Sequence, residues 1–472
     1  MRFPTFRQTL VTLVAMTAGA STHSVAAQSA AADRGALVAR IDSLIREHLT
    51  NGPASSAAVA VVRGADTIVM RGYGLADRTT NRAAGPTTVY EIGSITKQFT
   101  SSAIMRLVEQ GKIRLDDDLS KYVPTFPLQG KHVTIRQLLN HTSGIHSYTS
   151  NKAWATTWSQ DLTPDSIVGF VARDTFDFAP GSRWLYNNTG YVLLGMVIEK
   201  VTGKPYAAYL DEQFFKPLGL KQTRYCPAHP TDTTYALGYS ARNKELVPST
   251  YLSLTHPFSA GALCSTARDY LVWQRALHGG RVVSAASYTQ MTTPDTLNNG
   301  SRLNYGFGLT MGQIGTHRMI THGGGINGFT TAQLYFPADT LSVIVFTNTD
   351  AAGPDGPAMN IARAVFGMPI VGPAKVPPVV ALDPAERDKV LGTYDLLLPN
   401  GGKLPMRVFV EGQALMSQAE GQGAIALLHY GNGVFGASFD PSVRISFVAE
   451  NGVITKMRLL QGGGTIEGAR RP

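Results

Sequence analysis

Ser94 and Lys97 stand three residues apart in the stretch EIGSITKQFT, where an apolar helical pattern begins. Residues three apart share a helix face, so this hydroxyl and amine can meet. A serine beside a base is an activated nucleophile, and burial disfavours the charged form of an amine and leaves it able to take a proton. A helix cap next to a surface charge has the same spacing, and the pair alone leaves both readings open.

Three further elements carry candidate chemistry. Tyr186-Asn187-Asn188 follows FAPGSRWL and leads into a helix. Asn188 can offer an amide to a carbonyl, or simply cap that helix. His322-Gly323-Gly324-Gly325 ends a strand, and YGFGL at 305–309 opens the late strands. Taken singly, each also reads as packing or as a turn. His141 and Ser143 in NHTSGI invite a Ser/His reading, and Gly323-x-Gly325-x-x-Gly328 formally matches a dinucleotide fingerprint. That fingerprint needs a helix after it, and strand-like FTTAQLYF follows instead. There is no G-x-S-x-G, which argues against an α/β-hydrolase. The acidic LDDDLS at 115–120 reads as a helix entry. No CxxC or HExxH occurs, so neither a metal nor a cofactor is expected.

In chain order, Ser-x-x-Lys, Tyr-x-Asn and His-x-Gly resemble the arrangement of serine β-lactamases and penicillin-binding proteins. The Tyr-x-Asn form resembles the class C β-lactamase and DD-peptidase branch, with its esterases and D-aminopeptidases. VYEIGSITKQFTSSAI, TIRQLLNHTSGI, PGSRWLYNNTGYVLLG, SAGALCSTARDYLVWQ and HGGGINGF look like the same family, over about residues 35 to 367. The tail from 384 resembles the lipocalin-like domain found behind some members. The resemblance implies Ser94 as nucleophile, with Lys97 and Tyr186 in the proton relay. It implies that Asn188 contacts the substrate carbonyl and steadies Lys97. It places His322, Gly324 and Gly325 in substrate binding, the N–H groups of Ser94 and Gly325 holding the oxyanion, and it makes NHTSGI a structural turn.

His322 departs from the pattern, because a β-lactamase or DD-peptidase has lysine there. Histidine is mostly neutral near pH 7, so recognition of a carboxylate weakens unless Arg302, Arg318 or another cation substitutes. The His-x-Gly form resembles D-aminopeptidases, D-amino-acid amidases and some esterases. The expected function is an exported serine hydrolase acting through acyl-Ser94 on a small ester, a D-amino-acid peptide or amide, or a β-lactam. The alternatives are a class C-type β-lactamase proper, a penicillin-binding sensor that acylates and barely turns over, and a non-catalytic binding module.

The elements that must position these residues are legible in outline. Residues 57–75 form two alternating runs around a Gly64-Ala65-Asp66 turn. A largely buried helix follows Ser94 and stops at Gly111. Thr134 and Gln137 have capping-box spacing, Thr163-Pro164 opens a helix, and Asn188 to Thr202 is closed by Gly203. RMITHGGG, FTTAQLYF and LSVIVFTN are strands, and PAMNIARAVFG is a closing helix. The fold class expected is α+β: an antiparallel sheet flanked by helices, with a helical subdomain, plus a small C-terminal antiparallel β domain. Residues 28–368 form the hydrolase domain, proline-rich 369–383 a linker, and 384–472 the β domain, with Asn451-Gly452 as a hairpin turn.

The 472 residues are 43% hydrophobic and 16% charged, a globular composition. Net charge is +9, spread without a Lys/Arg run, which excludes nucleic acid and favours weak attraction to anionic surfaces. Residues 1–27 read as a secretory leader cut after Ala27, with Arg2 and Arg7 ahead of a short apolar core. The mature protein is expected in the periplasm or medium, with no membrane span and a small molecule or peptide as its partner. Export permits a disulfide, and the spacing of Cys226 and Cys264 leaves their pairing open.

Overall fold

A computed structural model describes residues 18–472 apart from 53, 174, 229–231, 243–244, 373–376, 398–402, 421–423, 438–439 and 462–463. Residues 1–17 of the expected leader and 373–376 of the expected linker lie outside the described residues. Helix α1 (Ala18–Asn51) runs through the expected cleavage point at Ala27. It leads to strands β1 (Ser56–Arg63), β2 (Asp66–Asp77) and β3 (Arg82–Ala83). The helical region contains α2 (Thr96–Glu109), α3 (Ile135–Leu139), α4 (Asn188–Thr202) and α5 (Ala267–His278). Strands β4 (Thr310–Ile314), β5 (His317–Ile326), β6 (Phe329–Phe336) and β7 (Leu341–Thr347) follow, then α6 (Asp355–Val365).

The seven strands form one sheet in the order β3-β2-β1-β7-β6-β5-β4, so the first and last strands of the domain meet at its centre. Every pairing is antiparallel, with Val59 opposite Val345 in the central pair. β1 and β7 read as unbroken apolar runs because both of their faces are covered. Ala57, Val59 and Val61 pack with Ile41 and Ile45 of α1 and Ile361 of α6. Ala58, Ala60 and Val62 face the helical side, where Phe99 of α2 stacks on Trp273 of α5 with ring centroids 3.8 Å apart. α2 is buried from Thr96 through Met105, as its apolar residues on several sides require.

Local signals act as their chemistry dictates. Thr134 and Gln137 form the reciprocal capping box of α3. Asp118 caps a short turn at Leu119–Lys121, which explains the acidic stretch. Gly203 closes α4 with φ 67°. Cys226 and Cys264 are joined by a disulfide with Cα atoms 5.2 Å apart. Cys264 lies on a short strand paired with Tyr90–Glu91, the segment that leads to Ser94.

The C-terminal strands, β8 (Gly392–Leu397) through β15 (Gly464–Arg470), close into an eight-stranded antiparallel barrel. β8 pairs with β15 through Tyr394 and Arg470, which leaves the barrel no open edge. Tyr394, Val408, Phe435, Ile445 and Met457 fill its interior. Asn451 and Gly452 both take positive φ in a tight hairpin. The Arg183 guanidinium of the catalytic region donates to the Glu420 carbonyl of the barrel at 3.1 Å.

Candidate active site

Ser94 sits in a single 3₁₀ turn, Gly93–Ile95, that runs directly into α2. The turn is held against β5. Gly93 has φ 51°, and a Cβ there would lie 2.9 Å from the Gly325 nitrogen. A Cβ on Gly324 would lie 2.1 Å from the Ile92 carbonyl oxygen. The Ser94 turn and strand β5 thus touch backbone to backbone, and only glycine permits that approach.

Lys97 is fully buried in the first turn of α2. Its Nζ lies 3.2 Å from Ser94 Oγ, 2.9 Å from Asn188 Oδ1 and 2.9 Å from the Ala260 carbonyl. Burial pushes its pKa well below the usual lysine value. A neutral amine has two N–H donors and one lone pair. Asn188 Oδ1 and the Ala260 carbonyl can only accept, so they take both N–H groups. The lone pair is left for the Ser94 hydroxyl.

Tyr186 lies just before α4, and Asn188 is the first residue of that helix. Asn187, rather than Asn188, is the N-cap: its side chain accepts the Gly190 N–H. Asn188 is thereby free to bind Lys97. The Tyr186 ring lies 4.7 Å from Lys97 Nζ. Its hydroxyl is buried and makes no hydrogen bond of good geometry. Burial raises its pKa strongly, and the nearby Ser94 hydroxyl offsets this only in part. Tyr186 is therefore a phenol at neutral pH. His141, expected only as part of a turn, packs on it with ring centroids 4.4 Å apart.

His322 stands behind the pocket. Its Nδ1 lies 2.6 Å from the Gly323 carbonyl and its Nε2 lies 2.8 Å from the Tyr305 hydroxyl. The carbonyl can only accept, so Nδ1 carries the proton, and Nε2 accepts from Tyr305. Burial and the proximity of Lys97 push the His322 pKa down to about 4. The ring is a neutral strut between β5 and the YGFGL segment. In that segment, a Cβ on Gly308 would lie 2.7 Å from the Lys97 carbonyl oxygen.

A cavity of about 130 Å³ opens over Ser94. Gly93, Asn188, Ala260 and Gly325 border it, and Tyr148, Trp154, Leu252, Pro257 and Ile326 give it apolar walls. Ser94 and Gly325, the pair expected to hold an oxyanion, both line it. His322, Gly324, Arg302 and Arg318 do not, nor do Lys97 and Tyr186, and no charged side chain among the described residues does. Sequence reasoning missed the walls, because they come from separate segments with no shared spacing, Ile326 from the end of β5 and Trp154 from a short helix at Lys152–Ala155. His256 supports two of them: Trp154 Nε1 donates to its Nδ1 at 2.9 Å, and the Tyr148 hydroxyl donates to its carbonyl at 3.0 Å. Among the described residues there is no cluster of His, Cys, Asp or Glu able to hold a metal ion. No helix among them is long and apolar enough to cross a membrane.

An antiparallel sheet with a helical region, holding Ser-x-x-Lys, Tyr-x-Asn and a glycine-rich strand around one cleft, defines a serine hydrolase of the β-lactamase fold. The Beta-lactamase family profile matches residues 41–367, and the chain belongs to that family. It is 28% identical over 403 residues to penicillin-binding protein 4* of Bacillus subtilis, covering 81% of this chain and 86% of that one. A solved octameric penicillin-binding protein homologue from Pyrococcus abyssi is similar with a TM-score of 0.66 and 25% identity. That similarity covers 91% of this chain and 99% of that one, so it extends past the catalytic region. A D-stereospecific amidohydrolase from Streptomyces sp. is similar with a TM-score of 0.60 and 29% identity, over 70% of this chain and 99% of the other.

Proposed function

We propose that the protein hydrolyses small esters or D-amino-acid amides and peptides that carry no carboxylate beside the scissile carbonyl, through an acyl-Ser94 intermediate. The observation that carries this reading is His322. The position where a lysine would attract a carboxylate holds a neutral imidazole tied to Tyr305 and Gly323. Neither Arg302 nor Arg318 borders the cavity to replace that charge. The apolar walls suit a compact acyl group, and the similarity to a D-stereospecific amidohydrolase supports an amide as one substrate.

In the proposed sequence, Ser94 Oγ attacks the carbonyl carbon and its proton passes to Lys97 Nζ. The oxyanion that forms accepts from the N–H groups of Ser94 and Gly325, each worth about 2.7–4 kcal/mol by analogy with known oxyanion holes. The Tyr186 phenol donates its proton to the departing alcohol or amine and recovers one from Lys97. Water then attacks acyl-Ser94 and loses its proton to Lys97 Nζ, which passes a proton to the departing Ser94 Oγ as the acid is released and so restores the hydroxyl and the neutral amine. Lys97 is the base in this scheme because burial favours the neutral amine, whereas burial opposes the phenolate of Tyr186.

Export is also proposed. The Cys226–Cys264 disulfide suits an oxidising compartment and agrees with the leader-like N-terminus.

The test compares a chromogenic cephalosporin with a neutral nitrophenyl ester, for the wild type and Ser94→Ala. Ser94-dependent ester turnover well above cephalosporin turnover is expected. Cephalosporin turnover equal to or faster than ester turnover would establish a β-lactamase and refute the carboxylate-free reading.

A further inference from the structure

His141 is fully buried and follows directly on the C-terminus of α3, with φ 63°. That left-handed position after a helix is usually glycine. A side chain held there carries a backbone cost, and such costs mark positions where the side chain has a use. Two hydrogen bonds show what this residue grips. Its carbonyl accepts the Leu185 N–H at 3.1 Å. Its ring Nδ1 accepts the Asn187 N–H at 3.1 Å. Leu185 and Asn187 are the two neighbours of Tyr186, so one residue holds the chain on both sides of the phenol. The His141 ring also lies against the Tyr186 ring, with Tyr305 4.7 Å and Tyr191 5.2 Å away.

Because Nδ1 accepts a backbone N–H, the neutral ring carries its proton on Nε2. That Nε2 is buried without a partner. A residue serving only to close the α3 turn needs no such ring, since glycine would close the turn without strain and without an unpaired donor.

We infer that His141 is a positioning residue for Tyr186: it fixes the two peptides flanking the phenol and so sets the distance from the phenol to Ser94. The inference rests on Tyr186 acting in the acyl-Ser94 chemistry proposed above. His141 itself touches neither substrate nor Ser94 in this scheme, and its effect passes through Tyr186.

Two substitutions separate the grip from mere packing. His141→Phe keeps the ring volume and removes the Nδ1 acceptor. His141→Asn loses ring volume, keeps an oxygen acceptor near Nδ1, and adopts positive φ readily. Each is measured for kcat and KM on a neutral nitrophenyl ester, beside wild type and Ser94→Ala, with folding checked by circular dichroism. A misplacement of about 1 Å costs about a hundredfold. The expected result is a kcat loss of roughly ten- to a hundredfold for Phe and a kcat close to wild type for Asn. KM is expected to change little in either. The reverse ranking, or equal kcat in the two variants, overturns the inference and leaves His141 a packing residue. Should the Phe variant fail to fold, His141→Gly replaces it, with the same loss expected and a wild-type kcat refuting. If wild type and Ser94→Ala hydrolyse the ester equally, the acyl-Ser94 reading fails, and the inference falls with it.

Discussion

The two faces of the central sheet are built from the same strands and buried to the same depth, yet they differ in what they bury. On the face covered by α1 and α6, Val59, Val61, Leu334, Val343 and Ile361 make an aliphatic layer. On the other face, the helices bring Lys97, Gln98, His141 and Asn187 into the interior. His141 Nε2 and Gln98 Nε2 have no partner, and the Tyr186 hydroxyl nearby makes no hydrogen bond of good geometry. Burying polar groups without full pairing costs free energy, and the aliphatic face supplies burial that offsets it. One face holds the domain together, and the other holds reactive groups in states they would not adopt in water.

Substitutions that act on only one face break or sharpen this contrast. The largest effect is expected from Lys97→Met. Turnover should fall by roughly 10²–10⁴-fold with the loss of a general base, while stability at pH 7 rises. The sign follows from proton binding. Lys97 has its pKa well below the usual value in the folded chain, whereas in the unfolded chain it titrates near about 10.4. Between the lowered folded value and the unfolded value, the unfolded state therefore binds more protons than the folded state, and wild-type stability gains from each rise in pH. Urea midpoints at pH 7 and pH 9 check this. The advantage of the Met variant should narrow at the higher pH, and a Met variant less stable than wild type at pH 7 would contradict the contrast.

On the aliphatic face, Ile361→Ala should lower stability by about 2–4 kcal/mol and leave kcat unchanged. A denaturation curve and a rate assay on the same sample decide it, and a kcat that fell with stability would show that the faces are coupled. The smallest effect is expected from removing residues 384–472. Hydrolysis of a small ester should be unaffected, because none of the barrel's described residues lines the cavity. Larger substrates that reach Arg183 should respond, since that side chain donates to the Glu420 carbonyl of the barrel. Loss of small-ester hydrolysis in a truncated protein that keeps its fold would count against that division.

How far the sequence reveals this molecule depends on how local each signal is. Ser94 and Lys97 were readable because three-residue spacing on a helix fixes their meeting. The capping box at Thr134 and Gln137 and the stops at Gly111 and Gly203 are equally local. The sheet was readable because β1, β5, β6 and β7 have strand periodicity and the barrel strands alternate. The walls of the cavity were not, since Tyr148, Leu252 and Ile326 converge from segments far apart in the chain. The tautomer of His322 depends on Tyr305, a partner that no motif names. The disulfide depended on Arg224–Tyr225, just before Cys226, pairing with the short strand that carries Cys264. The choice between Asn187 and Asn188 as helix cap was a one-residue question, and boundaries of that kind are the weakest part of any pattern reading.

The backbone contact between Gly93–Ser94 and Gly324–Gly325 has a consequence for how such an enzyme can change over generations. The gap between nucleophile and strand is set by the radii of peptide atoms, since even a methyl group has no room at Gly324. Gradual adjustment by ordinary substitution is closed at that point: a residue there either preserves the gap or destroys it. Divergence toward new substrates must therefore run through positions that can vary in small steps, namely Trp154, Leu252 and Ile326. The chemistry is inherited nearly whole, and the taste for substrate is what drifts.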